Sequence, residues 1–316
     1  MPNGQSPSIS VLGAGAVGCY FGGMLARAGA QVTLIGRLPH VEAIRANGLY
    51  LDSSRFQQYI PVSASTSIEA ARNAAIVLFC VKTVDTEEAA KMLAPHLERG
   101  SIVVSLQNGV DNVERIRSVV SADVVPAVVY VAAEMIAPGH VKHTGRGDLI
   151  IGHLPRRDPD DDAGQRQLAS LADLFARAEI PCRISDDIQV DLWSKLILNC
   201  AYNAISALTR ARYGRLAHEP GTREVIARVV DEVLAVARGL GIQIRADMVD
   251  AAWKLGAEMM PGAISSTAQD IGRGKRTEID ALNGHVVRRG AELGIPTPVN
   301  QALHALVKVL EDSSAH

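Results

Sequence analysis

Apolar residues follow two different rhythms along this chain. Over its first 185 residues, short apolar runs alternate with amphipathic stretches. Runs 9–12, 31–35, 75–81, 101–106, 124–133 and 149–152 read as strands, and 19–29, 40–47, 86–97 and 165–178 read as helices. The run 75–81 is apolar at every position, as a central parallel strand covered on both faces requires. Segments 49–51 and 59–62 read as a hairpin-like excursion, 67–71 as a brief helix, 180–184 as a terminal strand, and Pro138-Gly139 as a turn. Beyond Ser185 the strand signals stop. Helical spacing then covers 187–208, 221–239, 247–260, 280–293 and 299–310, with 211–216 read as a turn. The expected architecture is α/β, a sheet domain over 1–185 followed by an all-α domain over 186–316.

The first strand runs into Gly13-Ala14-Gly15-Ala16-Val17-Gly18, three glycines at G-x-G-x-x-G spacing between a strand and a helix. The three glycines serve different ends. Gly13 permits the tight turn, Gly15 lets backbone approach a pyrophosphate, and Gly18 lets the helix pack close to the strand. The anion then sits at a helix N-terminus, where unpaired N–H groups and the helix dipole attract it. Gly13, Gly15, Ala16, Val17 and Gly18 are therefore candidate cofactor contacts in a Rossmann-type dinucleotide-binding domain. The second strand ends in Gly36-Arg37, where an NAD-binding chain usually carries an acid. A guanidinium there suits the 2′-phosphate of NADP; the other reading is a solvated surface arginine.

Two further residues lie at carboxyl ends of strands, on the rim where doubly wound sheets bind ligands. Lys82 follows the run 75–81 and either serves cofactor and substrate or is a solvated strand terminus. Asn108 lies in Gln107-Asn108-Gly109, which reads as an ordinary turn or as an amide beside the nicotinamide ribose or the substrate. In the second domain Lys195, Asn199 and Asn203 recur every four residues, so they share one face of an otherwise apolar helix. Buried polar groups are costly unless paired, so a coherent stripe of three marks the wall of a polar pocket. Thr277-Glu278-Ile279-Asp280 reads as a helix start capped by Thr277, with Glu278 a first-turn acid.

Composition narrows the partners. The 316 residues are 47% apolar with a net charge of -2, so no electrostatic footprint for nucleic acid or an anionic membrane is present. No apolar run nears the ~20 residues that span a bilayer, and the start 1–5 lacks the pattern of a signal peptide. Cys19, Cys80, Cys182 and Cys200 lie far apart in apolar stretches and read as buried, reduced thiols of a cytoplasmic protein. His140 and His143 lie in a turn region with no third ligand in view and read as ordinary polar residues, so no metal is expected. The stretch 154–164, with Arg156-Arg157 and three consecutive aspartates, reads as a solvated loop.

Taken together, the glycine loop with Arg37, Val81-Lys82, Gln107-Asn108-Gly109, 193–203, Ser265-Ser266 to Asp270, Thr277 to Asp280 and Asn283-Gly284 resemble the ketopantoate reductases, or 2-dehydropantoate 2-reductases, over nearly the whole chain. The resemblance implies a Rossmann domain, a helical substrate domain, and hydride transfer from NADPH to the ketone of a small 2-oxo acid in pantothenate biosynthesis. It implies that Lys195 is the catalytic cation, and that Glu278 holds the lysine or accepts the substrate's hydroxyl. Asn108, Asn199 and Asn203 would orient substrate and cofactor, Ser266 would meet the carboxylate, and Lys82 would help position the cofactor or substrate. A homodimer is compatible with this reading. One position departs: well-studied members carry a substrate-contacting Asn before the glycine that here is Gly214, and this chain has Tyr213.

Two other readings compete. One is a related NADP-dependent hydroxyacid dehydrogenase with a different substrate; β-hydroxyacid dehydrogenases usually place a glycine-rich turn before their lysine, where this chain has Asp191-Leu192-Trp193-Ser194. The other is a non-catalytic NADP-binding sensor, which loss of Lys195 or Glu278 would have favoured.

Overall fold

A computed structural model describes residues 7–154 and 162–314. Most of the expected acidic loop at 154–164 and the segment 1–5 lie outside them. The chain divides into two compact units, Met1–Gln107 with Asp111–Ile188, and Asn108–Val110 with Gln189–His316.

The first unit is built on β1 (Ser8–Leu12), β2 (Gln31–Ile35), β3 (Leu49–Ser53), β4 (Gln57–Ile60), β5 (Ser63–Ser65), β6 (Ile76–Phe79), β7 (Ile102–Ser105), β8 (Asp123–Ala137), β9 (His140–Ile151) and β10 (Cys182–Ile184). Its helices are α1 (Ala16–Arg27), α2 (Leu38–Asn47), α3 (Thr86–Leu93), α4 (Asn112–Arg117) and α5 (Asp162–Arg177). Strands run in the order β5-β2-β1-β6-β7-β8, every neighbouring pair parallel, which is the doubly wound dinucleotide-binding order. Core strand β6 is buried at all four positions, as its unbroken apolar run requires.

Strand β8 belongs to two ladders. Its first residues pair with β7 as far as Ser105 opposite Pro126, and from Ala127 onward it pairs antiparallel with β9. A proline has no N–H to give, so the handover falls where one ladder can end. Strand β9 then takes β3 and β10 as parallel neighbours, and the hairpin β3–β4 closes that edge. His140 and His143 are strand residues of β9, not turn residues. His143 is buried, stacked on Tyr20 at 4.2 Å, and donates to Arg146 O over 2.6 Å; burial holds its imidazole below the usual range. No group of three His, Cys, Asp or Glu among the described residues could hold a metal.

The second unit comprises α6 (Ile188–Thr209), α7 (Tyr213–His218), α8 (Pro220–Gly239), α9 (Met248–Lys254), α10 (Ser266–Gly272), α11 (Asn283–Leu293) and α12 (Pro298–Ser314). Its core joins Leu196, Ile197 and Cys200 of α6 to Val229, Val233 and Val236 of α8. The segment read as a turn at 211–216 instead contains α7, because Leu216 and Ala217 are buried and a helix puts both on the core side. The helix expected over 247–260 changes pitch at Leu255–Met259, a π turn. The physical cause is Tyr202. Its hydroxyl donates to Ala252 O at 2.9 Å and takes the N–H of Gly256, the two groups an α-helix would join to each other.

No helix among the described residues is long and apolar enough to cross a membrane. All four cysteines are free; Cys19 and Cys200 are buried, whereas Cys80 and Cys182 are only half-buried. Burial pushes the Cys19 thiol up to about 12, which keeps it unreactive.

Candidate active site

In the first unit the glycine loop takes the form its spacing predicts. Gly13 N–H and Ala14 N–H both donate to Ile35 O at 2.9 Å, tying the loop to the end of β2. Gly13 has φ +106°, and a Cβ there would lie 2.8 Å from the backbone of Cys80. A Cβ on Gly18 would lie 2.2 Å from Gly13 O, so helix and loop touch at that point. Gly15 meets nothing within 4 Å and no side chain caps α1. The N–H groups of Ala16, Val17 and Gly18 precede the first intrahelical bond, Cys19 N–H to Gly15 O at 2.8 Å. Open space in front of these donors, with no acid in the first turn, fits a pyrophosphate.

Arg37 is exposed and stands at the start of α2, directly after β2 and Gly36. Lys82 is half-buried at the end of β6, before the single 3-10 turn Thr83–Asp85. Close by in sequence lies a buried polar chain that no motif marked. Gln107 donates to Val81 O at 3.0 Å and to Thr86 Oγ1 at 2.8 Å, and accepts from Ser105 Oγ at 3.1 Å. Thr86 in turn donates to Asn112 Oδ1 at 3.1 Å. This chain fixes the backbone from which Asn108 departs; its one sequence signal was the adjacency of Gln107 to Asn108.

The tripeptide Asn108–Val110 belongs to the second unit, where Val110 packs on the helical core. There Lys195 Nζ donates to Asn108 Oδ1 at 2.9 Å, and Asn108 Nδ2 donates to Glu278 Oε2 at 2.9 Å. One amide thus bridges an ammonium and a carboxylate, using its acceptor on one and its donor on the other. All three side chains are half-buried, within reach of a small molecule. Buried Trp193, edge-on to His285 with ring centroids 5.9 Å apart, anchors α6 two residues before Lys195.

Glu278 is not the first-turn acid of a capped helix. Thr277 Oγ1 accepts from Ile279 N–H at 3.2 Å, and a single 3-10 turn, Ile279–Ala281, separates it from α11. The reciprocal partner expected at Asp280 is engaged elsewhere, with His304 at 2.7 Å and Lys308 at 3.1 Å. Glu311 takes the Thr277 N–H instead, at 2.6 Å.

The rest of the α6 stripe divides. Asn199 is half-buried, while Asn203 is only 4% exposed and Tyr213 OH donates to its Oδ1 at 3.4 Å. Ser265 Oγ donates to Asn203 O at 3.1 Å and caps α10 by accepting Ala268 N–H at 3.0 Å. Ser266, the next residue, is exposed on the first turn of α10.

A family model described as ketopantoate reductase PanE/ApbA matches residues 9–156, and its C-terminal counterpart matches residues 187–311. A 2-dehydropantoate 2-reductase of Pyrococcus abyssi is 34% identical over 300 residues, 95% of this chain and 96% of that protein. One of Vibrio cholerae is 34% identical over 309 residues, 97% of this chain and 98% of its own. A solved PanE/ApbA family ketopantoate reductase from Ralstonia eutropha is 50% identical, with a TM-score of 0.91 over 98% of this chain and 100% of that one.

Proposed function

The chain belongs to the ketopantoate reductase family, and we propose that it reduces the ketone of 2-dehydropantoate (ketopantoate) to the alcohol of pantoate with NADPH. The observation that carries this reading is the Asn108 amide held between Lys195 and Glu278. NADPH supplies the hydride that reaches the ketone carbon.

Lys195 supplies the proton to the ketone oxygen. Negative charge develops on that oxygen only as the carbonyl is reduced, so an ammonium beside it stabilises the transition state more than the ground state. Asn108 occupies one of the ammonium's three donors and sets the direction of the others. Glu278 holds Asn108 in that orientation, and its carboxylate keeps the lysine protonated between turnovers. After transfer, the neutral amine regains its proton from solvent. Asn199, Asn203 and Ser266 would orient the substrate, its carboxylate toward Ser266. Gly13, Gly15, Ala16, Val17 and Gly18 would hold the pyrophosphate, Arg37 the 2′-phosphate, and Lys82 would help position cofactor or substrate. Residues 1–185 would form the cofactor domain and 186–316 the substrate domain, in a cytoplasmic enzyme that works as a homodimer.

One observation favours a neighbouring reading, a related 2-oxo acid as substrate. Tyr213 is a bulky phenol engaged with Asn203, where the family pattern has a short amide. NADPH oxidation by the purified protein against ketopantoate and a panel of other 2-oxo acids separates the two. Turnover confined to ketopantoate supports the first reading, preference for another 2-oxo acid the second, and no turnover on any would overturn both.

A further inference from the structure

Asn203 is a nearly closed position, and the contacts around it decide what it can do there. Its backbone oxygen receives the Ser265 hydroxyl at 3.1 Å, and its side-chain oxygen receives the Tyr213 hydroxyl at 3.4 Å. Tyr213 is itself fixed on three sides. Its ring stacks on Tyr202 with centroids 4.5 Å apart, its N–H donates to Ala263 O at 3.0 Å, and the following Gly214 N–H donates to Pro261 O at 2.9 Å. Tyr202 is pinned in turn by the opened helix at Ala252 and Gly256. The phenol therefore has little freedom, and the amide must adapt to it.

We infer that Tyr213 is a positioning residue that fixes the polarity of the Asn203 amide, turning its oxygen to the phenol and its NH2 away from it as a donor on the face shared with Asn199 and Lys195. An unrestrained amide can flip and offer either atom. A 2-oxo acid is an anion with two kinds of oxygen acceptor, so it needs the donor end, and a flipped amide would repel it. The inference rests on the proposed reaction and names how one wall of that site is kept selective for an anion.

The test compares Tyr213→Phe, Asn203→Ala and the double variant, with the 2-oxo acid that the wild-type protein turns over. Phenylalanine keeps the stack on Tyr202 and removes only the hydroxyl. The expected result is a KM raised about tenfold in Tyr213→Phe, since one lost hydrogen bond is worth about that factor. The pH profile and NADPH affinity stay at wild-type values, and Tyr213→Phe has no further effect once Asn203 is alanine. A wild-type KM in Tyr213→Phe, or an effect that persists in the Asn203→Ala background, would overturn the inference. If wild-type protein reduces no 2-oxo acid, the proposed function fails separately. The side-chain amide resonance of Asn203 then decides: a shift in Tyr213→Phe upholds the hydrogen bond, and an unmoved resonance overturns it.

Discussion

Lys195 and Asn108, 87 positions apart in the chain, meet at 2.9 Å, ammonium to amide oxygen. The contact gives a flexible lysine one orientation. It also makes two predictions separable. Lys195→Ala removes the proton donor and should cut turnover by orders of magnitude with little change in NADPH binding, read by steady-state kinetics and a fluorescence titration. Asn108→Ala leaves the ammonium but releases it; misplacement of this kind costs up to about 100-fold in kcat/KM. Near-normal turnover in Lys195→Ala would remove that residue from the chemistry.

Arg37 tests cofactor choice. Charged hydrogen bonds are worth ~1.5–3 kcal/mol, so Arg37→Ala should weaken NADPH by about one to two orders of magnitude and leave NADH nearly as it was. Equal weakening of both would mean that the guanidinium reads something other than the 2′-phosphate.

The glycine loop offers a contrast between neighbours. Gly15 faces open space with φ -88°, so Gly15→Ala should fold with stability within about 1 kcal/mol of wild type and lose cofactor affinity. Gly18→Ala places a methyl 2.2 Å from a backbone oxygen, which cannot rotate away, and should lower the denaturation midpoint as well. Denaturant melts alongside cofactor titration distinguish the two. Identical behaviour would undo the separation of their roles.

Asp280 predicts an acid sensitivity. Burial alone raises its pKa, but hydrogen bonds from His304 and Lys308 outweigh that, and the net shift is downward from 3.8. A carboxylate with a depressed folded-state pKa stabilises fully above its unfolded value and loses that contribution as pH falls through the folded one. Wild type should therefore melt higher than Asp280→Asn at neutral pH, and the gap should close below about pH 4. A gap independent of pH would assign the loss to packing.

Local features were legible where periodicity or spacing encodes them. Central strand β6, the loop Gly13–Gly18 and the α6 stripe all follow from repeats of two, four or six residues. Helix α7 was not, since Tyr213-Gly214 reads as a breaker until the buried Leu216 and Ala217 are seen. Thr277 looked like a cap because its neighbours have the right types, but Glu311 and His304, which claim the partners, lie more than twenty residues downstream. The bridge from Lys195 through Asn108 to Glu278 spans 170 residues between its last two members, a separation no local pattern records.

The tripeptide Asn108–Val110 limits how this protein can be taken apart. The chain leaves the sheet unit after Gln107, spends three residues with the helices, returns at Asp111, and departs again after Ile188. A fragment starting at Gln189 would carry Lys195 and Glu278 without the amide that joins them, and without Val110 on its core. Exchange of the helical half between relatives at that seam would pair a donor lysine with a host asparagine that evolved against another partner. Functional chimaeras therefore require both segments to move together, so recombination at one junction is not enough to pass this active site from one gene to another.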